Sequence, residues 1–338
     1  METRATDGGF MWGVATSGYQ HEGGYNGDGQ PLNNWHWWEQ SRHAEPSGMS
    51  VNFWGRYEED FDLVASLGLT AFRFGIEWAR VQPATKPGRS DPPPFDDSAM
   101  AGYAAMAVAA RQRGLEPTVT LHHFTHPAWL GSDPWLDADA PKLFAEFAVR
   151  SVGAANAALE RAGLPALRWI ITVNEPNMLV LNSYSARNFP ASGQRGPRAI
   201  STACNRLLEA HVRAARAIRD LYARHPAWGR PMLSTNSYTS DIYWNDKFVV
   251  DLLAAPLHAP RDKVWDWIRG RAVAFDDSVW RSELPRHHGI RYWVGALVKW
   301  AYSAAARKAC CFDQFDALLD LLYERPEEPA LDFIGMDY

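Results

Sequence analysis

The sequence predicts an α/β fold, a (β/α)8 barrel of which about six of the eight strand–helix units are present. Three observations predict it. Short, nearly continuous apolar runs alternate with helical stretches along the chain, the pattern of a parallel sheet covered by helices. Polar side chains sit just beyond those runs: Gln20 and Glu22, Glu77, His122 and His123, Asn174 and Glu175, and Asn236. In a barrel such positions share the C-terminal face, where the loops that follow the strands gather. An open doubly wound sheet is the main rival. It is weakened because no strand is followed by Gly-x-Gly-x-x-Gly or by a Walker-type loop.

The elements follow in order. Residues 10–16 read as a buried strand closed by Ser-Gly, and a Gly/Asn/Asp-rich loop leads to the aromatic cluster Trp35-His36-Trp37-Trp38. Trp54, Tyr57, Phe61, Val64 and Leu67 can share one helix face, with Gly68 placed to end that helix. Residues 70–76 form the second strand, 99–113 an Ala-rich helix stopped by Gly114, and 117–121 the third strand. A helix over 141–161 opens on Pro141 and stops at Gly163. Then come a strand over 168–173, a helix over 200–224 and a strand over 231–235. Residues 236–330 carry helical patterns near 247–257, 261–273 and 292–307, and 331–336 reads as the sixth strand. Without repeats, low-complexity segments or a linker, 1–338 is expected to be a single domain.

Composition narrows the function classes. The 338 residues are 46% hydrophobic and 22% charged, with a net charge of −5. No Lys/Arg run stands out, which argues against nucleic acid or an anionic membrane as partner. Neither a signal-type h-region nor an 18-residue apolar run occurs, so no leader and no membrane span are expected. Cys204, Cys310 and Cys311 are odd in number and partly adjacent. That is no disulfide framework, and it points to a reducing, cytoplasmic setting. No Cys-x-x-Cys pattern or cofactor motif is present, so no metal and no cofactor are expected. The sixteen Trp residues supply core, or stacking walls for flat ligand faces such as sugars.

Glu175 is the sharpest position. It directly follows a buried strand, in Thr172-Val173-Asn174-Glu175-Pro176. Pro176 fixes its own φ and restricts the residue before it, so the carboxyl stands on a stiff backbone. Partly shielded by aromatics, it is expected to have a raised pKa and to suit general acid work. By itself such an acid reads more readily as a structural ion pair or an exposed turn acid. Glycoside cleavage needs more: a second carboxylate, hydroxyl-binding polar groups and aromatic walls. Gln20, His123 and Asn174 are the polar candidates, and Trp12, Trp78 and Trp129 are the nearby aromatics.

Five ordered motifs carry a resemblance. They are Phe10-Met11-Trp12-Gly13-Val14-Ala15-Thr16-Ser17-Gly18-Tyr19-Gln20-His21-Glu22-Gly23, Phe72-Arg73-Phe74-Gly75-Ile76-Glu77-Trp78-Ala79-Arg80, Leu121-His122-His123-Phe124 with Pro127, Thr172-Val173-Asn174-Glu175-Pro176, and Asp332-Phe333-Ile334-Gly335-Met336-Asp337-Tyr338. Together they resemble glycoside hydrolase family 1, the β-glucosidase and β-glycosidase family. The segment Asn33-Asn34-Trp35-His36-Trp37-Trp38-Glu39 is similar to its archaeal-type branch.

The resemblance implies a retaining β-glycosidase that hydrolyses O-glycosidic bonds of β-glucosides, related β-glycosides or oligosaccharides. Glu175 would be acid in the first step and base in the second. Arg73 would sit under the nucleophile and keep it ionised. Gln20 and His123 would bind sugar hydroxyls, and Asn174 the 2-hydroxyl. Asn236 and Tyr238 would lie toward the aglycone.

Phe124 stands where the family usually has Trp, and Asp337 where it has Asn. The family's nucleophile lies in a Thr-Glu-Asn-Gly segment on the seventh strand, and no such segment occurs in these 338 residues. The alternative is therefore a catalytically impaired sugar-binding protein, or a chain completed by a C-terminal partner or a homo-oligomer.

Plainer roles are expected for other residues. Glu77 reads as a buried partner of Arg73 or Arg80. His122 alternates away from His123 and is expected to pack behind the barrel. His122, His123 and His126 lie on a strand end without a supporting carboxylate motif, a poor metal set.

Overall fold

The computed structural model describes residues 9–84, 86–240, 242–281 and 290–337. Six strands are described: β1 (Gly13–Ala15), β2 (Ala71–Gly75), β3 (Glu116–Thr120), β4 (Trp169–Asn174), β5 (Met232–Tyr238) and β6 (Gly335–Asp337). They form one sheet in the order β1-β2-β3-β4-β5-β6. The pairings are parallel, with Val14 opposite Phe72, Arg73 opposite Thr118, Val119 opposite Ile170 and Asn236 opposite Gly335. Sequential parallel neighbours require a crossover between each pair. The architecture is the incomplete (β/α)8 barrel that the sequence predicts.

Contacts divide the chain into two compact units. The first comprises residues up to Pro134, Lys142–Asn174 and Arg213–Leu233; the second comprises Trp135–Pro141, Glu175–Val212 and Ser234 onward. In the first unit, the helix Phe53–Ser66 lays Phe53 and Phe61 onto Phe72 of β2, with ring centroids 5.7 and 4.8 Å apart. Helical spacing puts both rings on one face. The helix ends at Leu67, and Gly68 follows at φ +76, a left-handed turn that glycine makes without a Cβ penalty. The helix Asp97–Gln112 begins at Asp96, whose carboxylate accepts from the backbone N–H of Ser98 (2.9 Å) and Ala99 (3.0 Å). In the second unit, Phe248, Leu252, Phe315, Leu318, Leu319 and Leu322 supply buried core.

Several boundaries differ from the sequence reading. The first strand shrinks from 10–16 to Gly13–Ala15 and is exposed, not buried; Phe10 is 78% and Trp12 67% exposed. β1 pairs only with β2 among the described residues, so one edge and its flanking side chains gain no cover. The sixth strand likewise shortens to Gly335–Asp337. β5 runs three residues further than expected, through Tyr238, because its second half pairs with β6. The helix Asp316–Glu324 was not expected; at nine residues its period is short, but Leu318, Leu319, Leu321 and Leu322 bury one face.

Candidate active site

The predicted site residues fall into two groups, one in each unit. In the first, Arg73 rises from the middle of β2. Its Nε donates to Thr120 Oγ1 at 2.7 Å, and its Nη2 donates to Asn174 Oδ1. Three adjacent strands are thus joined through one guanidinium, whose planar fork can serve two acceptors in fixed directions. Asn174, the last residue of β4, is buried, and its backbone N–H donates to His122 O at 2.8 Å. With its amide oxygen held by Arg73, Asn174 can present its amide N–H groups outward as donors.

His123 follows β3 and is half-buried. Burial, then the nearby Arg73 charge, lowers its pKa to about 3. The imidazole is therefore neutral at ordinary pH, a hydrogen-bonding group and not a cation. The loop beyond it is tied down by Asn34. Asn34 Nδ2 donates to Phe124 O (3.2 Å), and Asn34 Oδ1 accepts from the His126 backbone N–H (3.1 Å). Phe124 itself has φ +69. Gln20 lies after β1, exposed, and its side-chain oxygen accepts from Ser17 Oγ at 2.8 Å.

In the second unit, Glu175 caps the short helix Pro176–Leu181 and is half-buried. Its backbone is left-handed, φ +40 and ψ 63, a conformation that costs a non-glycine residue of order 1 kcal/mol. The Glu175 N–H donates to Asn236 O at 2.9 Å, which ties the turn after β4 to β5. The stiffness expected from Pro176 is thus joined by strain at Glu175 itself. Asn236 is buried, and its Nδ2 donates to the Asp337 carboxylate. Asn177 Nδ2 bridges Tyr238 O (2.9 Å) and Asn245 O (2.8 Å), leaving the Tyr238 ring exposed. Asp337, the departure from the family's Asn, acts here as acceptor for a neighbouring site amide.

Three sequence expectations are corrected. Trp78 and Trp129 are not ligand walls. Both are fully buried; Trp78 stacks on Phe147 (5.2 Å) and meets Trp129 edge-on (6.1 Å). Glu77 is buried and lies in the field of the Arg80 charge, as expected, but among the described residues it hydrogen-bonds neither Arg73 nor Arg80. Arg80 Nε instead pairs with Glu22 at 3.1 Å, and Glu77 Oε2 accepts from Thr125 Oγ1 at 2.7 Å. Third, polar positions thought to lie beyond the strands belong to them: Asn174 ends β4 and Asn236 lies within β5. The sequence reading also missed Thr120, the second anchor of Arg73; its signal was an inward-facing polar residue in the short strand Glu116–Thr120. His122 does pack inside, 6.1 Å from the Phe144 ring. Among the described residues, no cluster of His, Cys, Asp or Glu could hold a metal ion.

Comparisons with known proteins bear on the family and the fold. The model of "Glycosyl hydrolase family 1" matches residues 3–241. A coniferin beta-glucosidase of Pinus contorta is 32% identical over 202 residues, covering 56% of this chain and 36% of that protein. A beta-glucosidase structure from Thermotoga maritima in complex with castanospermine covers 98% of this chain and 65% of its own, with a TM-score of 0.66 at 20% identity; this likeness shows the fold. A beta-glycosidase from Pyrococcus horikoshii covers 80% and 55%, with a TM-score of 0.53 at 26% identity. The chain spans less than half the length of curated relatives such as these beta-glucosidases. Its family match nevertheless spans more than half of its own residues, so this chain belongs to glycosyl hydrolase family 1.

Proposed function

We propose that the protein acts on β-glucosides or related β-glycosides as a retaining glycosidase, within the single barrel domain 1–338. The observation that carries this reading is the Arg73–Asn174 bond, which orients an amide donor on the residue preceding Glu175. Glu175 protonates the leaving oxygen in the first step, while a second carboxylate attacks the anomeric carbon. Glu175 then takes a proton from the water that hydrolyses the glycosyl–enzyme. Asn174 holds the 2-hydroxyl, a bond that strengthens as the ring gains oxocarbenium character. Gln20 and neutral His123 hold further hydroxyls, and Asn236 and Tyr238 flank the aglycone.

No Thr-Glu-Asn-Gly segment occurs in the 338 residues. The reading therefore needs a second carboxylate on a polypeptide segment that carries this motif, such as a C-terminal complementing chain; a second copy of these 338 residues would not bring it. Among the described residues Cys204, Cys310 and Cys311 form no disulfide, which supports a reducing, cytoplasmic location. Among the described residues, no helix is long and apolar enough to cross a membrane.

The test is release of nitrophenol from aryl β-glucoside, with calorimetric titration of castanospermine beside it. Turnover that Glu175→Gln reduces by about three orders of magnitude supports the reading. Turnover unaffected by Glu175→Gln overturns the role of Glu175. Castanospermine binding without turnover favours the sugar-binding alternative.

A further inference from the structure

Glu77 is a carboxyl group that the reaction does not use, buried in the first unit and 3% exposed. It follows β2 and opens the short helix Trp78–Val81. Its side chain reaches two other loops of the same unit. Toward the third strand, Thr125 Oγ1 donates to Glu77 Oε2 at 2.7 Å, two residues beyond His123. Toward the first strand, the short helix Gly18–His21, which carries Gln20, packs against the same carboxyl through Gly18. The path is narrow: a Cβ on Gly18 would lie 2.1 Å from Glu77 Cγ. Only glycine at that position lets the carboxyl pass beneath the loop.

We propose that Glu77 is a positioning residue that sets the Gln20 loop and the His123 loop against each other, so that both sugar contacts take their spacing from one buried carboxyl. The proposal rests on the reading of Gln20 and His123 as sugar contacts. A glutamate side chain suits the task because it is long enough to accept from Thr125 in one segment while its stem packs against Gly18 in the other. Glu77 touches no substrate; it acts through its two neighbours.

Its surroundings keep it uncharged near neutrality. Burial, then the Glu22 carboxylate, raises its pKa to about 8, against lowering by Thr125, Arg80 and the Tyr19 amide. The other titratable groups facing this pocket are Tyr19, Tyr25 and Tyr103, each pushed up chiefly by burial. Ionisation of Glu77 would place a second negative charge beside Glu22, with Arg80 already paired to the latter.

The test uses the full chain and the variants Glu77→Gln, Glu77→Ala and Thr125→Val. Hydrogen exchange read by mass spectrometry follows peptides over 17–22 and 121–127. Thr125→Val removes one hydroxyl from the second loop, yet it is expected to speed exchange in the first loop about threefold or more. Glu77→Gln keeps both loops close to wild type, because the amide keeps the side chain's length and an oxygen that accepts from Thr125. Castanospermine titration adds a second readout, with about tenfold weaker binding in Glu77→Ala and near-normal binding in Glu77→Gln. Wild-type binding weakens as pH rises through about 8, and Glu77→Gln loses that dependence.

Unchanged exchange over 17–22 in Thr125→Val overturns the proposal. So does a Glu77→Gln protein that behaves like Glu77→Ala. Both deciding variants are nearly isosteric with the wild type, so the outcome does not hang on whether Glu77→Ala folds. If the wild type binds no castanospermine, the sugar-contact reading fails, and exchange alone still decides the coupling.

Discussion

Arg73 and Asn174 stand 101 residues apart in sequence, and the guanidinium of one donates to the amide oxygen of the other. The same guanidinium donates to Thr120. Arg73→Lys keeps the charge but has no fork to serve both acceptors. It is expected to lower stability by about 1.5–3 kcal/mol and to weaken castanospermine binding by about tenfold. Urea unfolding and calorimetry measure the two effects. A lysine variant with wild-type affinity would show that Asn174 does not depend on Arg73.

The left-handed backbone at Glu175 makes a prediction opposite in sign. Glu175→Gly removes a Cβ from a conformation that disfavours it, so stability should rise by up to about 1 kcal/mol while the acid/base group is lost. Denaturant midpoints compare the two proteins. A glycine variant less stable than wild type would mean that contacts of the Glu175 side chain outweigh its backbone strain.

Gly18 and Glu77 form a steric pair. Gly18→Ala alone is expected to cost about 2 kcal/mol, since Glu77 must leave its slot. In Gly18→Ala with Glu77→Ala, most of the Gly18→Ala penalty disappears, because the obstructing side chain is gone. The double-mutant cycle should therefore give a coupling of about 1 kcal/mol or more. Additive effects would place the clash elsewhere.

Acid stability follows from buried imidazoles. Burial lowers His123 to about 3 and His126 to about 4, and it pushes His122 well below the ordinary value. A folded-state pKa below the unfolded one means that the unfolded chain binds protons first. Stability from these residues is full above about pH 6.5 and is lost as pH falls toward 4. Melting temperatures measured from pH 8 to pH 4 should decline across that window, and His126→Gln should flatten part of the decline. A flat wild-type curve would contradict the burial of these rings.

Particular residues show how much was legible in advance. Phe61 and Val64 announce their helix because a period near 3.6 is written locally, and Gly68 marks its end, but the pattern omits the buried Phe53 and includes Leu67, which is 67% exposed. The strands that carry or precede His123, Asn174 and Asn236 were likewise readable from short apolar runs, although Asn174 and Asn236 fall inside their strands and not beyond them. Trp78 and Trp129 were misread as ligand walls. An aromatic residue next to a strand end has the same local pattern whether it faces a cavity or Phe147.

The sequence by itself therefore determined the order of the strands and of the long helices between them, the family resemblance, and the identity of the candidate carboxyl at Glu175, since these are carried by short local patterns. Only the tertiary structure decided that Arg73 holds Asn174, that Glu175 sits in a left-handed turn, and that Glu77 accepts from Thr125 while Arg80 takes Glu22. The physical reason is that hydrogen-bond partners and desolvation are set by groups brought together from distant parts of the chain, where no local periodicity records them.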